Sequence, residues 1–246
     1  MHRKGLAMKK AYVASVVVLC FSCFPDTVTA TCADLSLVLA IDSSGSIDAD
    51  EFILQNLGYA AAFKSRSVKR ALAATGIVDV AAVYWADADF AFQIIPWYRL
   101  TSAHDADAFA ALFVAIARPA IGDTDIGNGL SLAIDMIEEP NRCSFRKIVN
   151  VSGDGIESGS GKQNIYIPLF VARARAAELG IVVNGLAIEN DVPELSEYYR
   201  DELISGPASF VIRIKDFSTF RVAIEQKLTR EIGLALYSSL DSTSYR

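Results

Sequence analysis

The chain has 246 residues, of which 52% are hydrophobic, and it carries 23 Lys and Arg against 29 Asp and Glu, a formal net charge of −6. An acidic balance without a basic cluster argues against nucleic acid and anionic membranes as partners. After the first thirty residues, apolar and polar segments alternate as in an α/β domain, and the roughly 215 remaining residues suit a single domain.

The first 30 residues have the features of a secretory signal peptide. Met8-Lys9-Lys10 is basic, the stretch 11–24 is apolar, and Val28-Thr29-Ala30 offers a small-residue cleavage pattern. We therefore predict that residues 1–30 are a signal peptide and that the mature protein is periplasmic or secreted, in a bacterial envelope, with no stable membrane insertion. An uncleaved membrane anchor is the alternative. Cleavage leaves 19 basic and 28 acidic residues, a formal charge of −9.

Apolar runs bounded by turn residues predict strands, and apolar residues at helical spacing predict helices. In chain order we predict strands over 35–41, 77–85, 90–95 (an antiparallel edge), 147–151, 181–188 and 209–214. Helices are predicted over 48–64, with a capping box at Asp48 and Glu51, and over 104–117, 126–138, 168–179 and a closing segment from Phe217. Buried strands separated by helices indicate a doubly wound sheet.

Three polar segments stand where predicted elements end or begin. Asp42-Ser43-Ser44-Gly45-Ser46 follows the first strand, and its D-x-S-x-S pattern can direct one carboxylate and two hydroxyls toward a common centre. Thr124 lies in a loop just before a helix, and Asp154 follows the strand over 147–151. Oxygen-only ligands suit a hard cation such as Mg²⁺. For the first segment alone, a Ser-rich turn in which Asp42 caps the next helix is the alternative.

Together, the D-x-S-x-S segment, the loop Thr and the strand-end Asp-Gly resemble the metal-ion-dependent adhesion site of von Willebrand factor A domains, over residues 34–232. More narrowly, the chain resembles a secreted bacterial branch of that family with a V-S-G-D-G-like segment. The resemblance implies an α/β fold with a doubly wound, mostly parallel six-stranded sheet of order 3-2-1-4-5-6, one antiparallel edge strand and helices on both faces. The first and fourth strands, which end at Asp42 and Asp154, would then meet at the switch point where such sheets bind ligands. The domain is expected over 31–232, followed by a C-terminal tail over 233–246.

Carried onto matching residues, the resemblance implies a binding site and not an enzyme. Ser44 and Ser46 would ligate Mg²⁺ or Mn²⁺ directly, and Thr124 would bind it directly or through water. Asp42 and Asp154 would act mainly through waters and hydrogen bonds. Because neutral oxygens leave the ion poorly neutralised, an Asp or Glu of a protein ligand can complete its coordination. We therefore expect an exported, metal-dependent protein-binding module of the adhesion type.

The surroundings of this site are also predicted. We expect its rim to consist of the loop over 155–166 and the turn residues Ser43, Gly45 and Ile47. Asp123 and Asp125 are expected to be solvated loop acids, with an indirect role at the metal as the alternative. The chain departs from the family pattern at Ser152-Gly153, because the family more usually has Thr before the Asp that corresponds to Asp154.

Cys32 and Cys143 are the two cysteines outside the predicted signal peptide. In the strand order that the resemblance implies, they precede neighbouring parallel strands and would lie at the same edge of the sheet. An exported chain meets an oxidising compartment, which favours a disulfide between them. Two unpaired thiols are the alternative.

The best enzymatic alternative is a Mg²⁺-dependent aspartyl phosphatase of the haloacid dehalogenase type, which also begins with an Asp at a strand end. That chemistry needs a second acid two residues on, where this chain has Ser44. A Ser/His/Asp hydrolase is disfavoured, because His104 is the only His left after removal of the signal peptide. The third alternative is a structural module whose metal site has lapsed.

Overall fold

Strands and helices alternate along the chain in the computed structural model, which describes residues 31–87, 91–118, 122–159 and 166–233. The strands in these ranges are β1 (Ala33–Asp42), β2 (Val78–Trp85), β3 (Gln93–Leu100), β4 (Ser144–Gly153), β5 (Val182–Ile188) and β6 (Val211–Ile214). The helices are α1 (Ala49–Lys64), α2 (Arg66–Thr75), α3 (Ala103–Ala115), α4 (Ile126–Ile137), α5 (Leu169–Glu178), α6 (Leu195–Tyr198) and α7 (Phe220–Gly233), with a π-helical turn at Tyr199–Leu203 and a 3-10 turn at Phe217–Thr219. The predicted signal peptide and the tail after residue 233 lie outside the described residues.

The strands form one six-stranded sheet within the described part of the chain, in the order β3-β2-β1-β4-β5-β6. β3 runs antiparallel to β2, and the other neighbouring pairs are parallel. The predicted fold class and strand order are therefore confirmed. β1 lies between β2 and β4, so that Asp42 pairs with Trp85 on one side and Ile41 pairs with Ser152 on the other.

Both faces of the sheet are covered, which is why β1 reads as a nearly continuous apolar run. Leu37 and Leu39 belong to a core formed with α1, α3 and α7, whereas Val38 and Ala40 belong to a second core formed with α4 and α5. In the first core the ring of Tyr59 lies 5.2 Å from that of Phe113 and 5.5 Å from that of Phe220, which joins α1 to α3 and α7. Burial of each large apolar side chain stabilises the fold by about 1.5–3 kcal/mol.

A buried polar cluster fixes α7 to the middle of the sheet. Lys227 and Glu231, one helical turn apart on α7, are fully buried and form an ion pair with an N–O distance of 2.7 Å. Asn150 of β4 and Asn184 of β5 each donate a side-chain hydrogen bond to the Glu231 carboxylate, at 2.6 and 3.0 Å. Burial lowers the pKa of Lys227 to about 8, while the facing Glu231 opposes that shift. These partners satisfy charges that would otherwise be costly to bury.

Cys32 and Cys143 form a disulfide, with their Cα atoms 4.8 Å apart and a sequence separation of 111 residues. The bond lies at the start of β1 and β4, because Ala33 pairs with Ser144 and donates its amide to the Cys143 carbonyl. The disulfide that the sequence predicts is therefore present, at the end of the two strands opposite Asp42 and Gly153.

The elements differ from the prediction in three places. α2 and the helical segment Leu195–Leu203 were not anticipated, and the edge strand is Gln93–Leu100 instead of 90–95. Pro96 cannot donate to a sheet ladder, but here it lies on an edge strand where the β2–β3 register shifts between Val80 and Ala82. The strand therefore continues past the proline. Among the described residues, no helix is both long and apolar enough to span a membrane.

Candidate metal centre

The first part of the site is the turn after β1. Asp42 is the last residue of β1 and is fully buried, and its Oδ1 accepts a hydrogen bond of 2.8 Å from the backbone amide of Ser44. This Asp turn bends the chain so that the next hydroxyls face the same way. Ser44 Oγ and Ser46 Oγ lie 3.1 Å apart.

The second part comes from the end of β4. Ser46 Oγ donates a hydrogen bond of 2.6 Å to Asp154 Oδ1, across 108 residues of sequence. Asp42, Ser44, Ser46 and Asp154 thus form a continuous polar chain at the carboxyl ends of two adjacent parallel strands. The two separated sequence motifs meet at the sheet edge where they were predicted to meet.

Thr124 supplies the third part and packs against Gly155, the residue after Asp154. A Cβ on Gly155 would lie 3.2 Å from Thr124 Oγ1, so the absence of a side chain at this position allows the close approach. Backbone hydrogen bonds hold the loops together: Ser158 N donates to the Thr124 carbonyl at 2.8 Å, and Gly45 N donates to the Gly122 carbonyl at 2.8 Å. All five predicted site residues therefore lie at the end of β1 or in the three connected loops after β1, before α4 and after β4.

The two carboxyl groups are in an unfavourable environment for negative charge. Burial raises the pKa of Asp42 to about 8, and the nearby Asp154 adds to this shift. Burial likewise raises the pKa of Asp154 to about 6, with Glu51 and Asp191 contributing repulsion and the Ser46 hydrogen bond opposing it. A cation placed between these groups would remove both penalties.

The donor set fits a hard divalent cation. Asp42 Oδ2 and Asp154 Oδ2 are buried and have no hydrogen-bond partner among the described residues. With the hydroxyls of Ser44, Ser46 and Thr124, they make an oxygen-only set of the kind that Mg²⁺ and Mn²⁺ accept. No group of three or more His, Cys, Asp or Glu that could hold a metal occurs in the described part of the chain. Three of the five proposed donors are therefore hydroxyls, which carry no charge to neutralise the ion.

Three predictions about the surroundings are wrong. Ile47 and Ser43 were expected on the rim, but Ile47 is fully buried and Ser43 donates its hydroxyl to the Trp85 carbonyl at 3.0 Å in the interior. Asp125 was expected to be solvated and is fully buried at the start of α4, whereas Asp123 is exposed as expected. Of the predicted loop over 155–166, residues 160–165 lie outside the described residues.

Other residues at the site were missed by the sequence interpretation. Gln55 of α1 is fully buried and donates its Nε2 to the Asp42 carbonyl at 2.9 Å. Glu157 accepts the Gly127 amide at 3.0 Å, which places a carboxylate at the N-terminus of α4, where the helix dipole favours it. Arg118 donates to the Ile47 carbonyl and so supports the D-x-S-x-S turn. Of these three residues, only Gln55 could have been recognised in the sequence, because it is a polar residue on a helix face that packs against the core.

Comparisons with known proteins support the fold. A family model described as "Protein of unknown function (DUF1194)" matches residues 31–235. A search of curated proteins found no match to the chain. Among solved structures, it is similar to the pilus adhesin SpaC from Lactobacillus rhamnosus GG, with a TM-score of 0.60 and 13% identity over 81% of this chain but only 30% of that one.

Two further structures show the same fold. The vWF domain of the type V pili tip protein Mfa5 from Porphyromonas gingivalis matches with a TM-score of 0.58 and 12% identity, over 84% of this chain and 97% of that one. Proximal thread matrix protein 1 from the mussel byssus, in a form with a zinc-occupied MIDAS motif, matches with a TM-score of 0.52 and 15% identity, over 80% and 46%. The chain therefore has the von Willebrand factor A fold.

Proposed function

Because the chain belongs to the DUF1194 family and has the von Willebrand factor A fold, we propose that it is an exported protein-binding module whose binding depends on a divalent cation. The observation that carries the proposal is the pair of unpartnered buried oxygens, Asp42 Oδ2 and Asp154 Oδ2, at the switch point of the sheet. Ser44, Ser46 and Thr124 would hold Mg²⁺ or Mn²⁺ together with these two acids.

The proposed partner chemistry follows from the charge of the site. If the hydroxyls bind the ion directly and Asp42 and Asp154 act mainly through waters, the ion keeps its affinity for anionic oxygen, and an Asp or Glu side chain of a protein ligand would complete its coordination. A pilus adhesin and a pilus tip protein share the fold, and this supports an adhesion role without identifying the partner.

Export is the part of the proposal that depends on the N-terminal sequence. Residues 1–30 have the signal-peptide pattern described above, and the Cys32–Cys143 disulfide suits an oxidising compartment. We propose that the mature protein begins near residue 31 and lies in the periplasm or outside the cell.

The phosphatase alternative fits the site poorly. A nucleophilic Asp must be reachable by a phosphoryl group, but the Asp42 side chain is fully buried and its Oδ1 already accepts the Ser44 amide. The second position of that chemistry is held by Ser44, which has no carboxyl group to protonate a leaving group.

Calorimetric titration with Mg²⁺ and with Mn²⁺ tests the metal site directly. The wild-type protein should bind one ion, and Asp42→Ala should abolish binding. Asp34→Ala is the matched control: Asp34 lies at the other end of β1, where it accepts the Ile77 amide at 2.8 Å, and its loss should leave metal affinity unchanged. A wild-type protein that binds neither ion would instead favour the structural module with a lapsed site.

Partner binding needs a second experiment. Proteins captured from an envelope extract by the mature chain should be identified by mass spectrometry with Mg²⁺, with chelator, and with Thr124→Ala in Mg²⁺. A partner retained only by the wild-type protein in Mg²⁺ supports the proposal. A partner retained equally in all three conditions would assign the interaction to another surface.

A further inference from the structure

Tyr199 reaches the candidate metal centre from a helical segment that the site's sequence motifs do not include. It is fully buried and opens the π-helical turn Tyr199–Leu203, which closes with a hydrogen bond of 3.0 Å from Ile204 N to the Tyr199 carbonyl. Single π-helical turns are often associated with functional sites, because they place one side chain out of the regular helical series.

Two glycines on adjacent strands make the space for this side chain. A Cβ on Gly185 of β5 would lie 3.0 Å from Tyr199 Cδ2, and a Cβ on Gly153 of β4 would lie 2.7 Å from the Tyr199 hydroxyl. The ring therefore crosses from β5 over β4, and any side chain at Gly153 would displace the hydroxyl.

The hydroxyl ends beside Gly153 and Gly155, the residues on either side of Asp154. The same Cβ on Gly153 would lie 2.7 Å from Asp42 Oδ2, so the Tyr199 hydroxyl and this unpartnered carboxylate oxygen flank one small space. The hydroxyl donates a hydrogen bond of 3.3 Å to the Gly155 carbonyl. Gly155 is the residue against which Thr124 packs, so this bond holds the backbone that sets the separation of Asp154 and Thr124.

We propose that Tyr199 is a positioning residue of the metal site, whose hydroxyl fixes the Asp154–Gly155 backbone relative to Asp42 and Thr124. This inference rests on the proposed function, since it assumes that these residues hold a cation. Tyr199 links the helical segment Leu195–Leu203 to the metal site. A displacement of Tyr199 would therefore change the affinity of the site for the ion. Groups that orient metal ligands commonly change affinity by about 10- to 100-fold when they are removed.

The test uses Mn²⁺ as the probe and measures its dissociation constant by calorimetry or electron paramagnetic resonance. Tyr199→Phe keeps the ring and removes the hydroxyl, and it should weaken Mn²⁺ binding about tenfold. The free energy of unfolding is measured in parallel in chelator. A purely structural role would lower stability and leave the dissociation constant unchanged, and that result overturns the proposal.

Tyr84→Phe is the matched control, because Tyr84 is also buried and its hydroxyl donates to Asn56 Oδ1 in the other core. Removal of the Tyr84 hydroxyl should leave Mn²⁺ affinity at the wild-type value. An equal loss of affinity in Tyr84→Phe and Tyr199→Phe would show a general effect of removing a buried hydroxyl, and it would overturn the proposal.

Gly185→Ala moves the ring without removing the hydroxyl, and a double-mutant cycle combines it with Tyr199→Phe. Gly185→Ala should push the ring and weaken Mn²⁺ binding in the wild-type background, but have no further effect in Tyr199→Phe. Additive effects would overturn the proposal. Failure of the wild-type protein to bind Mn²⁺ would overturn both the metal site and the role of Tyr199. Normal binding by Tyr199→Phe would overturn only the role of Tyr199.

Discussion

Ser46 Oγ donates a hydrogen bond of 2.6 Å to Asp154 Oδ1, and this contact joins the turn after β1 to the end of β4. It is the direct link between the two halves of the candidate centre, and it holds a hydroxyl against a carboxylate whose other oxygen has no partner among the described residues. The bond therefore arranges two of the proposed metal-binding groups before any ion arrives.

Removal of the Ser46 hydroxyl should weaken metal binding. Ser46→Ala deletes a proposed ligand and leaves Asp154 without its hydrogen bond, so we expect Mn²⁺ affinity to fall by at least about tenfold. Titration calorimetry measures the change. Ser218→Ala is the control, because Ser218 donates to Asp216 on the surface, and it should bind Mn²⁺ like the wild-type protein. Unchanged affinity in Ser46→Ala would exclude Ser46 as a ligand.

The stability of the metal-free protein should fall as the pH rises. The pKa values of Asp42 and Asp154 are raised to about 8 and about 6, so the folded state holds protons that the unfolded state releases near pH 4. Stability from these groups is therefore fully present below about pH 4 and is lost as the pH rises toward 8, with a slope of about 1.4 kcal/mol per pH unit for each such proton. Urea unfolding in chelator measures this slope.

Asp42→Asn provides the comparison for this pH dependence. The variant removes one titrating carboxyl and its repulsion of Asp154, so its unfolding free energy in chelator should depend less on pH between 4 and 8. Mg²⁺ should stabilise the wild-type protein more strongly at pH 8 than at pH 5, because protons compete with the ion. Parallel pH profiles for the two proteins would contradict the assigned protonation of Asp42.

Loss of the disulfide should destabilise the fold without changing metal affinity. In the chain-entropy model, closing a loop of this length contributes about 4–5 kcal/mol, so the double variant Cys32→Ala/Cys143→Ala should unfold at a clearly lower urea concentration. The bond lies at the opposite end of β1 and β4 from Asp42 and Asp154, so Mn²⁺ binding by the folded variant should match the wild-type value. A large loss of affinity would show that the site depends on the distant ends of these strands.

Lys227→Met should be strongly destabilising, because it leaves the Glu231 charge buried without its ion-pair partner. Breaking such a pair typically costs about 3–5 kcal/mol. The double variant Lys227→Met/Glu231→Gln removes the uncompensated charge and should recover part of that loss. Both are measured by urea unfolding at pH 7. If the double variant is less stable than Lys227→Met, the cost comes from lost packing and not from the unpaired charge.

The sequence predicts the sheet, and it predicts that the five candidate site residues come together, for physical reasons. Strands buried on both faces give continuous apolar runs, and the D-x-S-x-S motif must follow such a strand for its hydroxyls to converge. Tyr199 could not be found this way, because its role depends on two glycines, Gly153 and Gly185, that carry no chemistry of their own. The burial of Ile47 likewise depends on tertiary packing and not on any pattern in the turn.

The Cys32–Cys143 bond also determines how the molecule would carry mechanical load. In the mature chain, which we propose begins near residue 31, tension between its N-terminus and the chain after β4 passes through the covalent bond from Cys32 to Cys143 and enters β4 at Ser144. The bypassed segment, residues 33–142, contains Asp42, Ser44, Ser46 and Thr124. Four of the five candidate metal-binding residues therefore lie in a closed loop that is not stretched, and Asp154 alone lies on the loaded path.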